Sequence, residues 1–236
     1  METNKPAVDT GTDTAMDHAE YADYAEYDRR QRAIERHLIA AFAGGLLVGL
    51  LGMLISGRAP VWIGQVYEPY AYLGLTLVVG VTAAGFGWAL VTTFLAAVSM
   101  LVAAMGASAL RGDLAFDIVG GSAAGLNWTL ALLVGLGLMA YVTRRDDAWG
   151  DLAAGAVGAA LIADVVDRAT PGFIDSERSF WPVPALVVGF LTVALVLVLR
   201  RGTRARLRAL ALSAVFSGVF TLCLAFFATG WFPLVV

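Results

Sequence analysis

The 236-residue chain is 59% hydrophobic and only 15% charged, with a mean hydropathy of +0.75 and a formal net charge of −3. A soluble domain is about 45–50% apolar and about 25% charged. Residues 1–37 hold 14 of the 35 charged residues, so the remaining 199 residues have too few to cover a water-facing surface. This composition excludes a soluble enzyme, a nucleic-acid-binding protein and a disordered chain, and it leaves a polytopic membrane protein.

The first predicted element is a polar segment over residues 1–28. It contains eight acidic residues against a single lysine, Lys5, and too little apolar surface to fold alone, so we predict a disordered acidic cytoplasmic tail. Residues 29–37 are predicted to form a juxtamembrane basic helix that leads into the first span. The tail is interpreted either as a solvated segment or as a docking segment for a cytoplasmic protein partner.

Residues 38–236 divide into apolar runs that predict membrane-spanning helices. A span needs about 20 residues to cross a hydrocarbon layer of about 30 Å. Tyr70–Leu110 has 41 residues without a charge, about twice that length, so it must contain two helices with a turn at Gly85–Trp88. The sequence therefore predicts an all-α fold, a polytopic membrane helical bundle with seven transmembrane helices. The predicted spans are residues 38–56, 70–88, 90–110, 118–142, 152–166, 181–199 and 209–229.

The arginines orient these seven spans. With the N-terminus inside and the C-terminus outside, the inner flanks hold eleven arginines and the outer loops hold four, in agreement with the positive-inside rule. A single span over Tyr70–Leu110 would move Arg144 and Arg145 to the outside. We therefore expect a multi-pass protein of a bacterial cytoplasmic (inner) membrane. The basic loop Arg200–Arg208 is expected to attract anionic lipid headgroups, by about 1 kcal/mol per basic residue.

Glycine spacing predicts how the helices pack. Gly45–Gly49 and Gly121–Gly125 match the small-xxx-small pattern that lets helix backbones approach closely, and Gly155 and Gly158 lie in a span rich in small residues. We interpret these glycines as sites of packing within the chain rather than as a dimer interface.

A faint internal repeat accompanies this pattern. Leu77–Gly80 recurs as Leu186–Gly189, and the same offset of 109 residues carries Gly49 to Gly158. Two parallel three-helix repeats joined by the fourth span would follow, a plan that resembles the sugar and vitamin transporters built in this way.

The candidate site residues lie at the predicted outer ends of spans two to five. Ionisable residues at membrane depth are costly and mark functional sites. The candidates for a polar, ligand-binding vestibule are Glu68, Asp113, Asp117, Asn127, Trp128, Asp164, Asp167 and Arg168. Asp164 can pair with Arg168 one helical turn later, and Asn127 is expected to bond another helix or to line a cavity. The alternative interpretation is that the acids are interfacial caps paired with loop arginines.

No motif in the sequence indicates a cofactor or a metal. Lys5 lies in the tail, so no lysine within a helix can form a Schiff base, and His18 and His37 do not provide a pair of haem ligands inside the membrane. Cys223 is a lone cysteine in an apolar run. We therefore expect no cofactor, no metal site and no nucleic-acid partner.

The charged tail, the seven short-looped helices and the arginine-rich last inner loop resemble, in outline, small multi-spanning membrane proteins of actinobacteria. The favoured hypothesis is a transporter-like or accessory membrane component without catalysis of its own. The size also resembles the membrane-embedded terpene cyclases, which use buried carboxylic acids to protonate a prenyl substrate. That resemblance implies an acid-catalysed intramembrane enzyme acting on a lipid or isoprenoid, with Asp164, Asp167 and Glu68 as its catalytic candidates.

Overall fold

The computed structural model describes residues 11–55, 58–110, 123–171, 173 and 177–228, and these residues form helices joined by short turns, without a β-strand among them. The predicted all-α class is therefore confirmed. The helices are α1 (Gly11–Ile55), α2 (Val61–Tyr67), α3 (Tyr70–Thr82), α4 (Phe86–Leu110), α5 (Ala123–Val142), α6 (Ala148–Ala169), a short 3₁₀ helix (Arg178–Phe180), α7 (Val183–Leu199) and α8 (Thr203–Ala228).

Five segments of the described helices are long and apolar enough to cross a membrane. They are Glu26–Ile55, Phe86–Leu110, Gly125–Val142, Ala148–Ala169 and Thr203–Cys223. Helix α7 is apolar but has 17 residues, which gives a length of about 26 Å. Helix α3 has 13 residues and measures about 20 Å, less than the thickness of a hydrocarbon layer. The helices agree with a multi-pass membrane protein.

The charge-free run Tyr70–Leu110 forms two helices, as its length predicts. Helix α3 ends at Thr82 and α4 begins at Phe86, so the predicted span over residues 70–88 is too long and the turn comes earlier than Gly85–Trp88. Ala83 leaves the helical conformation, with φ −63° and ψ 145°. Its carbonyl oxygen accepts a hydrogen bond of 2.6 Å from Nη1 of Arg144. This contact from a distant part of the chain fixes the turn, and spacing alone does not reveal it.

Helix α1 differs from the predicted disordered tail, because the chain is helical from Gly11 onwards. The residues up to Ile39 form one compact unit and Ala40–Val236 form a second. In the first unit, Nε2 of Gln31 donates to Oε1 of Glu35 at 3.4 Å. Arg32 and Asp28 form an ion pair at 3.8 Å. Such pairs one turn apart stabilise an exposed helix without a hydrophobic core.

Within Ala40–Val236 the successive long helices run in alternating directions. The rings of Phe86, at the start of α4, and Tyr141, near the end of α5, are 6.1 Å apart. Arg200, just after α7, donates hydrogen bonds to carbonyl oxygens of the α5–α6 turn. The turns at residues 83–85, 143–147 and 200–202 therefore share one end of the bundle, here called the basic end. Helix α2, the start of α3, the end of α6 and the 3₁₀ helix share the other end, here called the tyrosine end.

The core between α3, α4, α5 and α6 is filled by apolar side chains and by direct backbone contact. Its buried members are Tyr72, Leu73, Leu77, Ala97, Met100, Leu133, Ala140, Val157 and Leu161. A methyl group added to Gly80 of α3 would overlap the carbonyl group of Gly137 of α5. The two backbones thus touch, which leaves no room for a side chain between them.

The predicted intramolecular role of the glycines is confirmed for the residues that the structure describes. A methyl group at Gly45 would overlap the Ser99 hydroxyl and the Ala96 carbonyl on α4. At Gly155 a methyl carbon would lie 2.6 Å from Cβ of Leu212 on α8. Gly121 lies outside the described residues. The small residues therefore let α1 pack on α4 and α6 pack on α8.

The offset of 109 residues recurs in this packing. A Cβ atom at Gly49 would lie 3.2 Å from the amide nitrogen of Ala104, and one at Gly158 would lie 3.2 Å from Cβ of Ser213, so both partners obey the same offset. The middle helices differ, because Gly80 touches Gly137 whereas a Cβ atom at Gly189 would have nothing within 4 Å. The repeat is therefore visible in the pairing of the first and third helices of each triplet.

Candidate functional site

A polar cluster at the tyrosine end is built around Asp164 of α6. The hydroxyl of Tyr70 donates to Oδ2 of Asp164 at 2.5 Å. Nε of Arg168 donates to Oδ1 of Asp164 at 3.3 Å, so the predicted pair one helical turn apart is present. Nη1 of Arg168 also lies 3.6 Å from Oε1 of Glu177. The Asp164 carboxylate thus has a hydroxyl donor and a guanidinium beside it.

The 3₁₀ helix closes this cluster against α2. Nε2 of Gln65 donates to Oε2 of Glu177 at 2.8 Å and to Oγ of Ser179 at 2.5 Å. Phe180 is fully buried beneath these polar groups, with the guanidinium of Arg168 6.0 Å from its ring centre. The cluster thereby connects α2, α3, α6 and the loop before α7.

Glu68 belongs to a second set of tyrosine contacts at the same end. The hydroxyl of Tyr72 donates to Oε1 of Glu68 at 2.9 Å. The hydroxyl of Tyr67 donates to the carbonyl oxygen of Val48 on α1 at 2.7 Å. Burial, helped by the nearby Glu68 carboxylate, raises the pKa of Tyr67 above its ordinary value. These contacts anchor α2 and α3 to α1.

The other predicted site residues do not join these clusters in one vestibule. Asp167 is buried on α6. Asn127 and Trp128 are exposed on α5, so the prediction of a buried amide at Asn127 is wrong. The buried face of α5 is marked by Leu133 and Ala140, and at about 100° per residue Asn127 lies about 120° away from Leu133. Two further candidates, Asp113 and Asp117, lie outside the described residues.

The basic end contains a buried ion pair that sequence reasoning missed. Nη2 of Arg200 lies 2.5 Å from Oδ1 of Asp151, with side chains only 5% and 7% exposed. Nη1 of Arg200 donates to the carbonyl oxygens of Thr143, at 2.8 Å, and Arg145, at 2.7 Å. Nη1 of Arg208 is 3.9 Å from the second carboxylate oxygen of Asp151. This pair fixes the α5–α6 turn, the start of α6 and the end of α7 to one another.

The sequence does contain a weak signal for this pair. Asp151 lies one residue before the predicted span 152–166, and Arg200 lies one residue after the predicted span 181–199. Both were treated as flanking charges, because 49 residues separate them and no local spacing indicates that they meet. The preceding residue pattern does place Asp147 as the N-cap of α6, where its side chain accepts a hydrogen bond from the amide of Gly150 at 3.1 Å.

Two cavities of about 450 Å³ each lie near this ion pair. The first is mainly polar and is lined by Val81, Thr143, Arg144, Asp146, Val198, Leu199, Arg200 and Arg201. The second is an apolar groove between α6 and α8, lined by Ala148, Asp151, Leu152, Arg208, Ala211, Leu212 and Val215. Three guanidinium groups against one carboxylate make the first cavity suited to an anion. Across the described part of the chain, no three His, Cys, Asp or Glu side chains are grouped so as to hold a metal ion.

Comparisons with protein-family models, with curated proteins and with solved structures found no match for this chain. The arrangement of its own residues is therefore the basis for the function proposed below.

Proposed function

We propose that the chain is a seven-span protein of a bacterial cytoplasmic membrane that acts as an accessory component without catalysis or transport of its own. In this proposal the N-terminus and the basic end face the cytoplasm and the C-terminus faces outward. The alternating helix directions support seven crossings, with α2 and α3 together covering the second one. The shared position of Arg144, Arg145 and Arg200 at one end of the bundle supports the orientation.

The observation that carries the accessory role is the closed core. Gly80 and Gly137 meet at their backbones, and Thr76 and Thr93 beside them are fully buried. The hydroxyl of Thr76 donates to the Leu73 carbonyl at 2.9 Å, and that of Thr93 donates to the Ala89 carbonyl at 2.6 Å. These hydroxyl protons are used within their own helices, so the middle of the bundle offers neither space nor free donors to a passing solute.

The acid-catalysed alternative receives little support from Asp164. A proton donor to a prenyl substrate needs a protonated carboxylic acid in an apolar pocket. Asp164 instead accepts hydrogen bonds from Tyr70 and Arg168, an arrangement that suits an ionised carboxylate. Its contacts match the interpretation of the outer acids as caps paired with arginines.

Cysteine accessibility at the centre of the bundle tests the accessory role. In a Cys223→Ala background, Thr93→Cys is exposed to a small water-soluble thiol reagent in intact membranes, with Thr203→Cys on inverted vesicles as the accessible control. The closed core predicts that Thr93→Cys stays unmodified while Thr203→Cys reacts. Modification of Thr93→Cys from the water phase would show an aqueous pathway and would favour the transporter-like alternative.

The exposed part of α1 supports a docking role toward a cytoplasmic protein. Tyr24 and Tyr27 are 62% and 67% exposed on a charged helix. Exposed tyrosines are enriched at protein interfaces, because they combine a large apolar ring with a hydroxyl group. Affinity purification of the full chain, of a form lacking residues 1–28, and of a Tyr24→Ser, Tyr27→Ser form should lose the same partner in both altered forms. Retention of that partner by both would exclude the tail as its docking segment.

A further inference from the structure

The polar cavity at the basic end combines positive charge with an open apolar wall. Arg144, Arg200 and Arg201 line it, against the single carboxylate of Asp146. Val81, Val198 and Leu199 form the remainder of its lining together with Thr143. We propose that this cavity binds the phosphate group of an anionic phospholipid. The cavity assigns to specific residues the lipid contact that the basic loop as a whole suggests.

Two of the three guanidinium groups are held in place before any ligand binds. Nη1 of Arg144 donates to the carbonyl of Ala83 at 2.6 Å, and Nη1 of Arg200 donates to two carbonyls of the α5–α6 turn. These hydrogen bonds reduce the side-chain entropy that binding a phosphate would otherwise remove. A planar guanidinium whose position is fixed is the side chain best suited to bind phosphate oxygens.

The Arg200 side chain also keeps a donor without a protein partner. It is 4% exposed, and its Nε atom is buried without a hydrogen-bond partner in the described part of the chain. Nη1 and Nη2 are engaged by the turn carbonyls and by Asp151, so Nε–H is the donor that remains. Buried polar groups in proteins are nearly always hydrogen-bonded, so an unused donor on a cavity-lining arginine indicates a missing acceptor.

The apolar wall indicates that the phosphate belongs to a lipid. Val198 is 77% exposed on the outside of α7, next to the arginines of the cavity. In the proposed orientation this place is level with the headgroups of the cytoplasmic leaflet, where the acyl chains of a bound lipid would lie along α7. A free phosphate has the same chemistry toward the arginines but gains nothing from Val81, Val198 and Leu199.

The test measures lipid binding to the purified full-length protein by native mass spectrometry in detergent. Phosphatidylglycerol is titrated against phosphatidylcholine, which has the same phosphate but no net charge. The test form is Arg144→Gln with Arg201→Gln, because Arg200 is part of the buried pair and its replacement would disturb folding. The control form is Arg178→Gln with Arg204→Gln, which removes the same total charge at exposed positions outside the cavity.

We expect the test form to bind phosphatidylglycerol about tenfold or more weakly, while the control form stays within about twofold of the unaltered protein. Equal weakening in both forms would show a diffuse electrostatic effect and would overturn the proposal. An absence of preference for phosphatidylglycerol in the unaltered protein would also overturn it. Competition with excess inorganic phosphate separates the sources, because a lipid site keeps its bound lipid whereas a site for free phosphate releases it.

This inference rests on the proposed orientation only for the choice of leaflet. Binding in detergent does not depend on orientation, and the core-accessibility test does not depend on lipid. Failure of the lipid test therefore leaves the accessory role standing, and failure of the accessory role leaves the lipid site standing.

Discussion

Asp151 and Arg200 are a buried ion pair in a chain that has few charges outside its first 37 residues. Removing such charges from water is costly, and the cost is offset only when the partners lie close together and the remaining donors are satisfied. Here the carboxylate and guanidinium groups are 2.5 Å apart, and Nη1 of Arg200 reaches two carbonyls that the α5–α6 turn leaves open. The pair therefore stabilises one arrangement of the three inner connections.

Replacing Asp151 with Asn leaves the Arg200 charge buried without its partner. We expect a loss of about 3–5 kcal/mol in the free energy of unfolding, measured by denaturant titration in mixed micelles. Asp146→Asn is the matched control, because Asp146 is an exposed acid in the adjacent turn and should change stability by less than about 0.5 kcal/mol. Equal effects of the two substitutions would contradict the structural role of the pair.

Asp147 shows the same chemistry at an exposed position. A hydrogen bond from Arg145 is the main cause that lowers the pKa of Asp147, with further help from the amide of Gly150. A carboxyl whose pKa is lower in the folded protein contributes stability above its unfolded pKa of about 3.9, and this contribution is lost as the pH falls through the folded pKa.

Hydrogen exchange at the start of α6 should therefore accelerate as the pH falls below about 4, beyond the change in intrinsic exchange rate. Asp147→Asn keeps a capping oxygen but has no titration, so its excess acceleration over the same pH range should disappear. An identical acid response in the two proteins would assign the effect to other groups.

At the scale of helices, glycines decide which helices can approach. Gly80 and Gly74 lie on the same helix α3, yet only Gly80 touches another backbone. We expect Gly80→Ala to destabilise the protein by about 1–3 kcal/mol, because its methyl group would overlap Gly137. Gly74→Ala has open space for its methyl group and should be neutral or slightly stabilising, since alanine favours a helix more than glycine does.

Thermal unfolding in detergent, followed by the tryptophan fluorescence, compares these two variants directly. A large loss at Gly80 with none at Gly74 confirms that α3 and α5 are held together through their backbones. Equal behaviour of the two variants would mean that α3 and α5 do not approach at Gly80.

At the scale of the whole molecule, the alternation of helix directions makes a prediction about the two faces of the membrane. With Cys223 replaced by alanine, Ser176→Cys should react with an impermeant maleimide added to intact cells. Thr203→Cys, at an exposed position of the basic end, should react only after the cells are opened. Reaction of Thr203→Cys from outside with protection of Ser176→Cys would reverse the orientation. Reaction of both from one side would show that α7 does not cross the bilayer.

The repeat also belongs to this scale. Gly49 with Ala104 and Gly158 with Ser213 show the same helix pairing at an offset of 109 residues. The core between the two triplets is nevertheless filled, and its buried threonines donate hydrogen bonds to their own helices. A transporter-like plan of helices thus accompanies a closed interior, which is the physical ground for proposing an accessory role.

Properties that depend on composition, length and local spacing were determined by the sequence alone. The membrane class follows from the lack of charge after residue 37, and the two helices in Tyr70–Leu110 follow from a length that one span cannot use. The pair between Asp164 and Arg168 follows from the geometry of one helical turn.

Only the tertiary structure decided which distant residues meet and which helix faces are buried. The contact between Asp151 and Arg200 joins residues 49 positions apart, and the turn at Ala83 depends on Arg144 from another helix. Asn127 was expected to be buried but is exposed, because apolar residues surround α5 on all sides and leave its rotation undetermined by pattern. In a membrane helix, hydrophobicity specifies that the helix inserts, whereas close packing at glycines and a few charged contacts specifies which way it faces.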